Sequence, residues 1–373
     1  MVAIGPLSID MYLPGLPEIT RALDASAAEV QLTLTAVVVG LALGQLVAGP
    51  LSDRIGRRRP LVIGLLAYSG VSLLCALAPS VGVLTGLRFL QGLAGGAGIV
   101  IGRAVVRDLF SGAAAARLFS SLMLVTGLAP ILAPVIGAQV LKVTDWEGIF
   151  VVLAVLSLLI VTLAAVALPE TLPSARRDRG GLAHTLRLIR GLLTQRSFMG
   201  YALTAALAFG ALFAYISGSS FVLQDVYGLS PQSFSLAFGA NGLGLVAGSQ
   251  INARLVGRFG PGFLLRRALL VIVTAAAALV VIVAIDLGVW PVIIATFVVM
   301  SSLSFVMPNS TALALADQAK VAGTAAALLG VIQFLVGGLA APLVGLGGTG
   351  SALPMAVVML SLATAAVAVN RWL

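Results

Sequence analysis

An aspartate, Asp10, and an arginine, Arg88, each stand inside a stretch of sequence that is otherwise apolar. An ionised group at the centre of a bilayer costs at least ~2.5–3.5 kcal/mol, so a residue kept there is a functional candidate. Counted from the ends of their stretches, both lie roughly 9 Å below the same surface at 1.5 Å per residue. A carboxylate and a guanidinium at one depth can pair, and they can contest a proton. The cation holds the acid ionised, whereas burial favours its neutral form. The chemistry on offer is proton binding at Asp10, with Arg88 as its expected partner; a static structural ion pair is the rival reading.

A second constellation is the run Gly49-Pro-Leu-Ser-Asp53-Arg54-Ile-Gly56-Arg57-Arg58-Arg59. Its arginines alone would anchor any tight turn on the inner side of a membrane. That account leaves out Asp53, placed where an apolar stretch ends, and the flanking glycines. Gly49 is expected to admit a neighbouring helix closely, and Gly56 to supply a positive φ in the turn. Asp53 can then pair with an arginine or cap a helix, forming a latch.

These groups need a lipid-embedded frame. Hydrophobic residues make up 60% of the 373 and charged residues 9%, against about 25% charged in soluble domains. The chain reads as an all-α membrane protein of twelve transmembrane helices, at ~20 residues each. The spans are expected at 1–17, 29–52, 60–78, 82–106, 117–141, 148–168, 197–224, 231–253, 268–285, 288–309, 321–345 and 352–370. The first is short and is expected to be clipped at its start. With the N-terminus inside, Arg21, Lys142 and Arg88 aside, every one of the 22 Lys and Arg falls on the cytoplasmic side, as the positive-inside rule requires. Both termini are then expected to be cytoplasmic.

The basic loop 169–196 divides six spans from six, giving an N-terminal bundle over 1–168, a linker, and a C-terminal bundle over 197–373. Within the linker Leu182, Leu186, Ile189 and Leu193 recur at helical spacing among arginines, which predicts an amphipathic helix at the inner surface. Gly49-x-x-x-Asp53 is faintly repeated as Gly248-x-x-x-Asn252, so the two bundles are expected to be pseudo-symmetric, with substrate held near the midplane. Glycine clusters such as Gly92, Gly95 and Gly96 lack the lysine or acid of a nucleotide site and read as helix packing. There is one cysteine and one histidine, no Ser–His pairing and no metal cluster, so the chain is not expected to be an enzyme, to bind nucleic acid or to hold any cofactor or metal.

The turn from Gly49 to Arg58 resembles the loop signature of the major facilitator superfamily, G-x-x-x-D-R-x-G-R-R, and Arg88-x-x-Gln91-Gly92 resembles its R-x-x-Q-G signature. Asp10-Met-Tyr12-Leu-Pro14 with Pro17 is similar to the D-M-Y-L-P-x-x-P signature of the Bcr/CflA subgroup of bicyclomycin and chloramphenicol exporters. The resemblance covers nearly the whole chain. It implies drug export driven by proton entry, a latch at Asp53 and Arg57, and a proton site at Asp10. In the fifth span Pro130 and Pro134 are expected to kink the helix, and with Gly127 and Gly137 they match the superfamily's antiporter signature in part, since Ala133 stands where a glycine precedes the proline and Ala138 where a second glycine would follow Gly137. Tyr12, Gln91, Phe209, Phe213, Tyr215, Asn241, Asn309 and Gln333 are candidate substrate contacts, with helix packing the rival for each. The expected partners are a small amphiphilic substrate, protons and the lipid bilayer, around a monomer. A metabolite carrier for a sugar, amino acid or siderophore is the alternative.

Overall fold

The computed structural model describes residues 1–110, 112–173, 182–318, 321–348 and 350–372. Side-chain surroundings at Gly127, within the stretch 123–127, and at 182–187 of the linker helix lie outside the described residues. Among the described residues there is no strand, and nine helices are long and apolar enough to cross a membrane. The chain divides into two compact units, Met1–Gly180 and Gly181–Leu373.

In the first unit the leading span is jointed rather than continuous. Helix α1 (Ile4–Asp10) is followed by a 3-10 turn (Leu13–Gly15) and α2 (Leu16–Ala22). Pro14 and Pro17 explain the joint, because each lacks the N–H that a continuing helix would donate. The span therefore reaches beyond the expected residue 17, and Glu18 and Arg21 lie on α2 rather than in a loop. Helices α3 (Ala27–Ile55), α4 (Arg58–Ala76), α5 (Val81–Leu109), α6 (Gly112–Val140) and α7 (Glu147–Ala167) complete the unit. The start of α3 is closed by a capping box, with Ser26 and Glu29 each bonding the other's backbone N–H, a reciprocal arrangement that satisfies two orphan donors. Helix α6 runs unbroken through Pro130 and Pro134.

The second unit holds the linker helix α8 (Leu182–Leu193), then α9 (Arg196–Phe221), which ends in a π turn at Val222–Val226. It continues with α10 (Pro231–Phe259), α11 (Pro261–Ala284), α12 (Val289–Leu315), α13 (Ala322–Leu346) and α14 (Leu353–Arg371). Helix α11 begins seven residues before the expected 268, because Gly260 takes φ +76 and lets Pro261 start the next helix at once. Proline suits that first position, where no N–H bond is needed. The basic residues Arg266 and Arg267 are thereby helical rather than in a loop.

Burial is inverted relative to a water-soluble fold. Val166 and Leu163 are 85% and 68% exposed, while Asp10 and Ser157 are 4% and 1% exposed. Such a surface suits hydrocarbon, and the interior carries the polar groups. Close packing comes from reciprocal small residues in α3 and α5. A Cβ on Gly40 or Gly44 would come within 2.2 Å of the backbone oxygen of Phe89 or Leu93, and one on Gly92 within 2.1 Å of Val37 O. Backbones this close depend on small–xxx–small spacing. Helices α10 and α12 use the same device, with Gly248 against Ser304 and Ser301. Gly49 differs from the expectation: a Cβ there would meet Val100 at 3.7 Å, an ordinary contact.

Candidate functional site

The polar interior of the first unit is built around Arg88, which is completely buried. Its guanidinium donates to Gln91 Oε1 at 2.6 Å and to the carbonyl of Ser8 at 2.8 Å. Its carbon lies 4.6 Å from the centre of the Tyr12 ring and 5.5 Å from that of Phe150. Gln91 passes the network on by donating to Ser72 Oγ at 2.7 Å, and Ser8 Oγ meets Tyr68 OH at 2.5 Å. Tyr12 OH in turn shares a hydrogen bond with Thr33 at 3.1 Å.

The expected pairing of Asp10 with Arg88 is not what the structure makes. Among the described residues no ion pair within 4.0 Å joins them. The physical reason is the joint in the first span. Ser8 lies in the last turn of α1, where carbonyls run out of intrahelical partners and carry the negative end of the helix dipole. Arg88 is held by that carbonyl, by an amide oxygen and by two aromatic faces, all neutral, while its Nε is buried without a hydrogen-bond partner. Asp10 sits two residues further on, at the joint itself, and is the one carboxylate in the buried class among the described residues. The expected equal depth was counted from a span ending at residue 17, whereas the first span runs on through α2 to Ala22, and depth in any case does not fix which way a side chain faces. Gly137 stands at the same joint: a Cβ on it would be 2.1 Å from the carbonyl oxygen of Met11.

At the other end of the unit, the turn between α3 and α4 is organised by Arg57, which is 3% exposed. It pairs with Asp53 one helical turn earlier and with Asp108 on α5 at 2.9 Å, and it donates to Ser52 Oγ at 2.8 Å. Burial works against its charge, but Asp108 and Asp53 more than offset this and hold the guanidinium protonated above its ordinary range. Glu170, just after α7, caps α4 from a distance. Its carboxylate accepts the backbone N–H of Arg57 at 2.8 Å and of Arg58 at 3.3 Å, where the helix dipole favours an anion. Gly56 takes φ +100, and a Cβ on it would be 2.3 Å from Glu170 Oε2. Arg58 reaches the carbonyl of Ala165, while Arg54 and Arg59 are exposed. A cavity of about 310 Å³ opens beside this turn, lined by Gly49, Asp53, Arg57 and Arg103 among others.

The network has the character of a multi-helix charged clasp at one membrane face, beneath a buried acid in the first span. The sequence profile described as Major Facilitator Superfamily matches residues 1–342. The chain belongs to this superfamily. It is a multi-pass membrane transporter rather than an enzyme, folded as two six-helix bundles. It is 43% identical over 361 residues to the uncharacterized MFS-type transporter YdgK of Bacillus subtilis, covering 96% of this chain and 90% of that one. It is 34% identical over 354 residues to a bicyclomycin resistance protein homolog of Haemophilus influenzae, covering 95% and 89%. The resemblance to the Bcr/CflA subgroup rests on this second relative as well as on the motifs. Among solved structures, the D-xylose-proton symporter superposes with a TM-score of 0.76 at 14% identity, over 99% of this chain and 95% of that one. At that identity the likeness speaks for the superfamily fold alone.

In the superfamily frame the remaining candidates fall into distinct places. Tyr12 and Gln91 are fully buried and committed to Arg88 rather than lining an open space. Tyr215 and Asn241 meet in the second unit, Asn241 Nδ2 donating to the phenol oxygen at 2.5 Å while Phe238 stacks on the ring at 5.4 Å. Asn241 Oδ1 is buried without a hydrogen-bond partner. Phe209 and Phe213 cluster with Phe334, and Gln333 is half-buried on α13. Asn309 is spent on helix pairing, donating to Asn252 Oδ1 at 2.7 Å and to the carbonyl of Phe305 at 2.8 Å. Sequence reasoning missed Ser8, Tyr68, Ser72, Asp108 and the capping role of Glu170.

Proposed function

We propose that this chain exports drugs or other small amphiphilic molecules across the bacterial inner membrane in exchange for protons, by alternating access, with its basic loops and both termini in the cytoplasm. The observation that carries the reading is Asp10: a buried carboxylate at the joint of the first span, flanked by a helix end that Arg88 caps. Protonating it removes a charge from a dehydrated site, and in that state Arg88 keeps its bond to Ser8. When Asp10 is ionised, the guanidinium is drawn towards it and away from the Ser8 carbonyl, so the joint and the α5 contact respond to the proton. The clasp of Asp53, Arg57 and Asp108 holds the first unit's cytoplasmic turn during that exchange. In this reading Phe209, Phe213, Tyr215, Asn241 and Gln333 are the aromatic and amide groups that would meet an amphiphile when the second unit opens, Phe213, Tyr215 and Asn241 being buried in the conformation described, since such ligands bind mostly apolar sites with a few polar groups. The names of the drug-resistance relatives support the substrate class.

The test is transport in vesicles with an imposed pH gradient. Export of phenicols or cationic dyes that disappears in Asp10→Asn, with the variant still inserted, supports the reading. Export that persists unchanged in Asp10→Asn overturns the proton role. Gradient-driven movement of sugars or amino acids, without drug export, would replace the substrate class.

A further inference from the structure

The second unit holds a neutral hydrogen-bond acceptor, with nothing bonded to it, near the middle of the membrane. Asn241 stands on α10 about 15 Å from Pro231, the first residue of that helix, at 1.5 Å per residue. That is half of a ~30 Å hydrocarbon core. The residue is 3% exposed. Its amide nitrogen is spent on the Tyr215 phenol at 2.5 Å, and its Oδ1 is buried with no hydrogen-bond partner. An acceptor left bare in a dry interior is costly to keep, so its retention points to a donor that comes from outside the fold. Asn252 and Asn309, by contrast, bond to each other across α10 and α12.

Rings flank this acceptor. Phe238 stacks on Tyr215 with centroids 5.4 Å apart and planes 18° from parallel, and Phe234 meets Phe238 at 5.8 Å. The charge pattern narrows what the donor can be. From Gly181 onward the acidic residues are Asp225, Asp286 and Asp317. Asp225 lies in the π turn after α9, Asp286 in the turn after α11, and Asp317 beyond the end of α12. Helices α9 to α14 therefore carry no acid, and a cation entering this unit would find no counter-charge along them. Stripping a cation of its water without such a partner is expensive. A hydroxyl or an amide N–H loses far less when it exchanges water for an amide oxygen.

We infer that Asn241 Oδ1 is the specificity-determining acceptor of the second unit, selecting uncharged amphiphiles that carry a hydroxyl or amide N–H on an aromatic or apolar body. This deepens the export reading proposed above and rests on it for the opening that brings substrate to the amide. The ligand's donor then takes the bond that no protein group makes, and the rings of Tyr215 and Phe238 receive its apolar body. A ligand of the same shape without a donor leaves the acceptor buried and unpaired. The resulting preference is roughly 10–100-fold in affinity.

The test is equilibrium dialysis on the purified full-length protein, with a radiolabelled phenicol and its methylated analogue, in which both hydroxyls and the amide N–H are lost. The wild-type protein should bind the phenicol at least ~10-fold more tightly than the analogue. Asn241→Leu, with Asn241→Ala as a smaller second variant, should bring the two within about 2-fold of each other by weakening the phenicol alone. Equal affinities in the wild-type protein overturn the inference without recourse to any variant. A preference that survives both substitutions also overturns it, since the added methyl groups would then act by bulk elsewhere. Equal losses for the two ligands overturn it too, because they mark Asn241 as packing only. A phenicol that the wild-type protein does not bind overturns the inference outright. One that binds with the expected preference, yet is not moved by a pH gradient in vesicles, supports the acceptor site and overturns the export reading alone.

Discussion

Replacing Gly56 by alanine should unseat Glu170 from the start of α4. Gly56 has φ +100 and ψ 166, a region open essentially to glycine alone, where another residue is strained by ~1–3 kcal/mol. The added Cβ would also fall 2.3 Å from Glu170 Oε2 and 3.0 Å from Oε1. The carboxylate is the end of a flexible side chain and can withdraw, but on moving it loses the N–H groups of Arg57 and Arg58. A helix cap is worth roughly 0.5–2 kcal/mol, and the partial exposure of this one argues for the middle of that range. The sum is a loss of about 2–4 kcal/mol, read from unfolding of the purified protein in mixed micelles titrated with a denaturing detergent. The decisive comparison is a double-mutant cycle. Glu170→Ala alone should cost ~1–1.5 kcal/mol by losing the cap, and Gly56→Ala made in that background should cost only the backbone strain. The two losses should therefore fall short of additivity by about 1 kcal/mol. Additivity to within ~0.5 kcal/mol, as for independent sites, would refute the claim that Gly56 makes room for Glu170.

Other outcomes follow from the same geometry. Gly92→Val should prevent assembly of the first bundle, because its side chain would enter the Val37 backbone, whereas Gly70→Ala, with nothing within 4 Å, should yield normal amounts of folded protein by fluorescence-detected size exclusion. Asp108→Asn should weaken the hold on Arg57 and change the transport rate more than the abundance of the protein, measured as efflux per inserted molecule. Asn252→Leu should cost about 0.6 kcal/mol and at most ~1.7 by removing the acceptor for Asn309, seen in the same detergent titration.

The spans were legible because the apolar runs are long and the basic residues cluster in loops, and Pro14 and Pro17 announce a break near the first charged residue. Partnerships were harder to read. Arg88 draws its contacts from Ser8, Tyr12, Gln91 and Phe150, residues scattered over more than a hundred positions, and a count of residues from a span's end says nothing about which face each side chain occupies. The arginine turn and the pairing of Asp53 with an arginine were visible as a local motif, but two further anions lie 51 and 113 residues from Arg57. A signal existed in retrospect: Asp108 and Glu170 are acids on the side of the membrane where the loops are otherwise basic. Gly56 could be read from the turn it must make, while Gly49 could not be assigned a close neighbour.

The jointed first span has a mechanical consequence. A rigid rod that carried a titrating acid could answer a proton only by sliding or tilting along its whole length, dragging its neighbours with it. Two short rods meeting at a swivel can change angle locally, and the glycine-sutured α3–α5 pair beside them can stay still. Under the proton coupling proposed for Asp10, loss of a proton would become a small bend at one elbow, delivered to the helix that carries Arg88, with the remainder of the bundle as its mount.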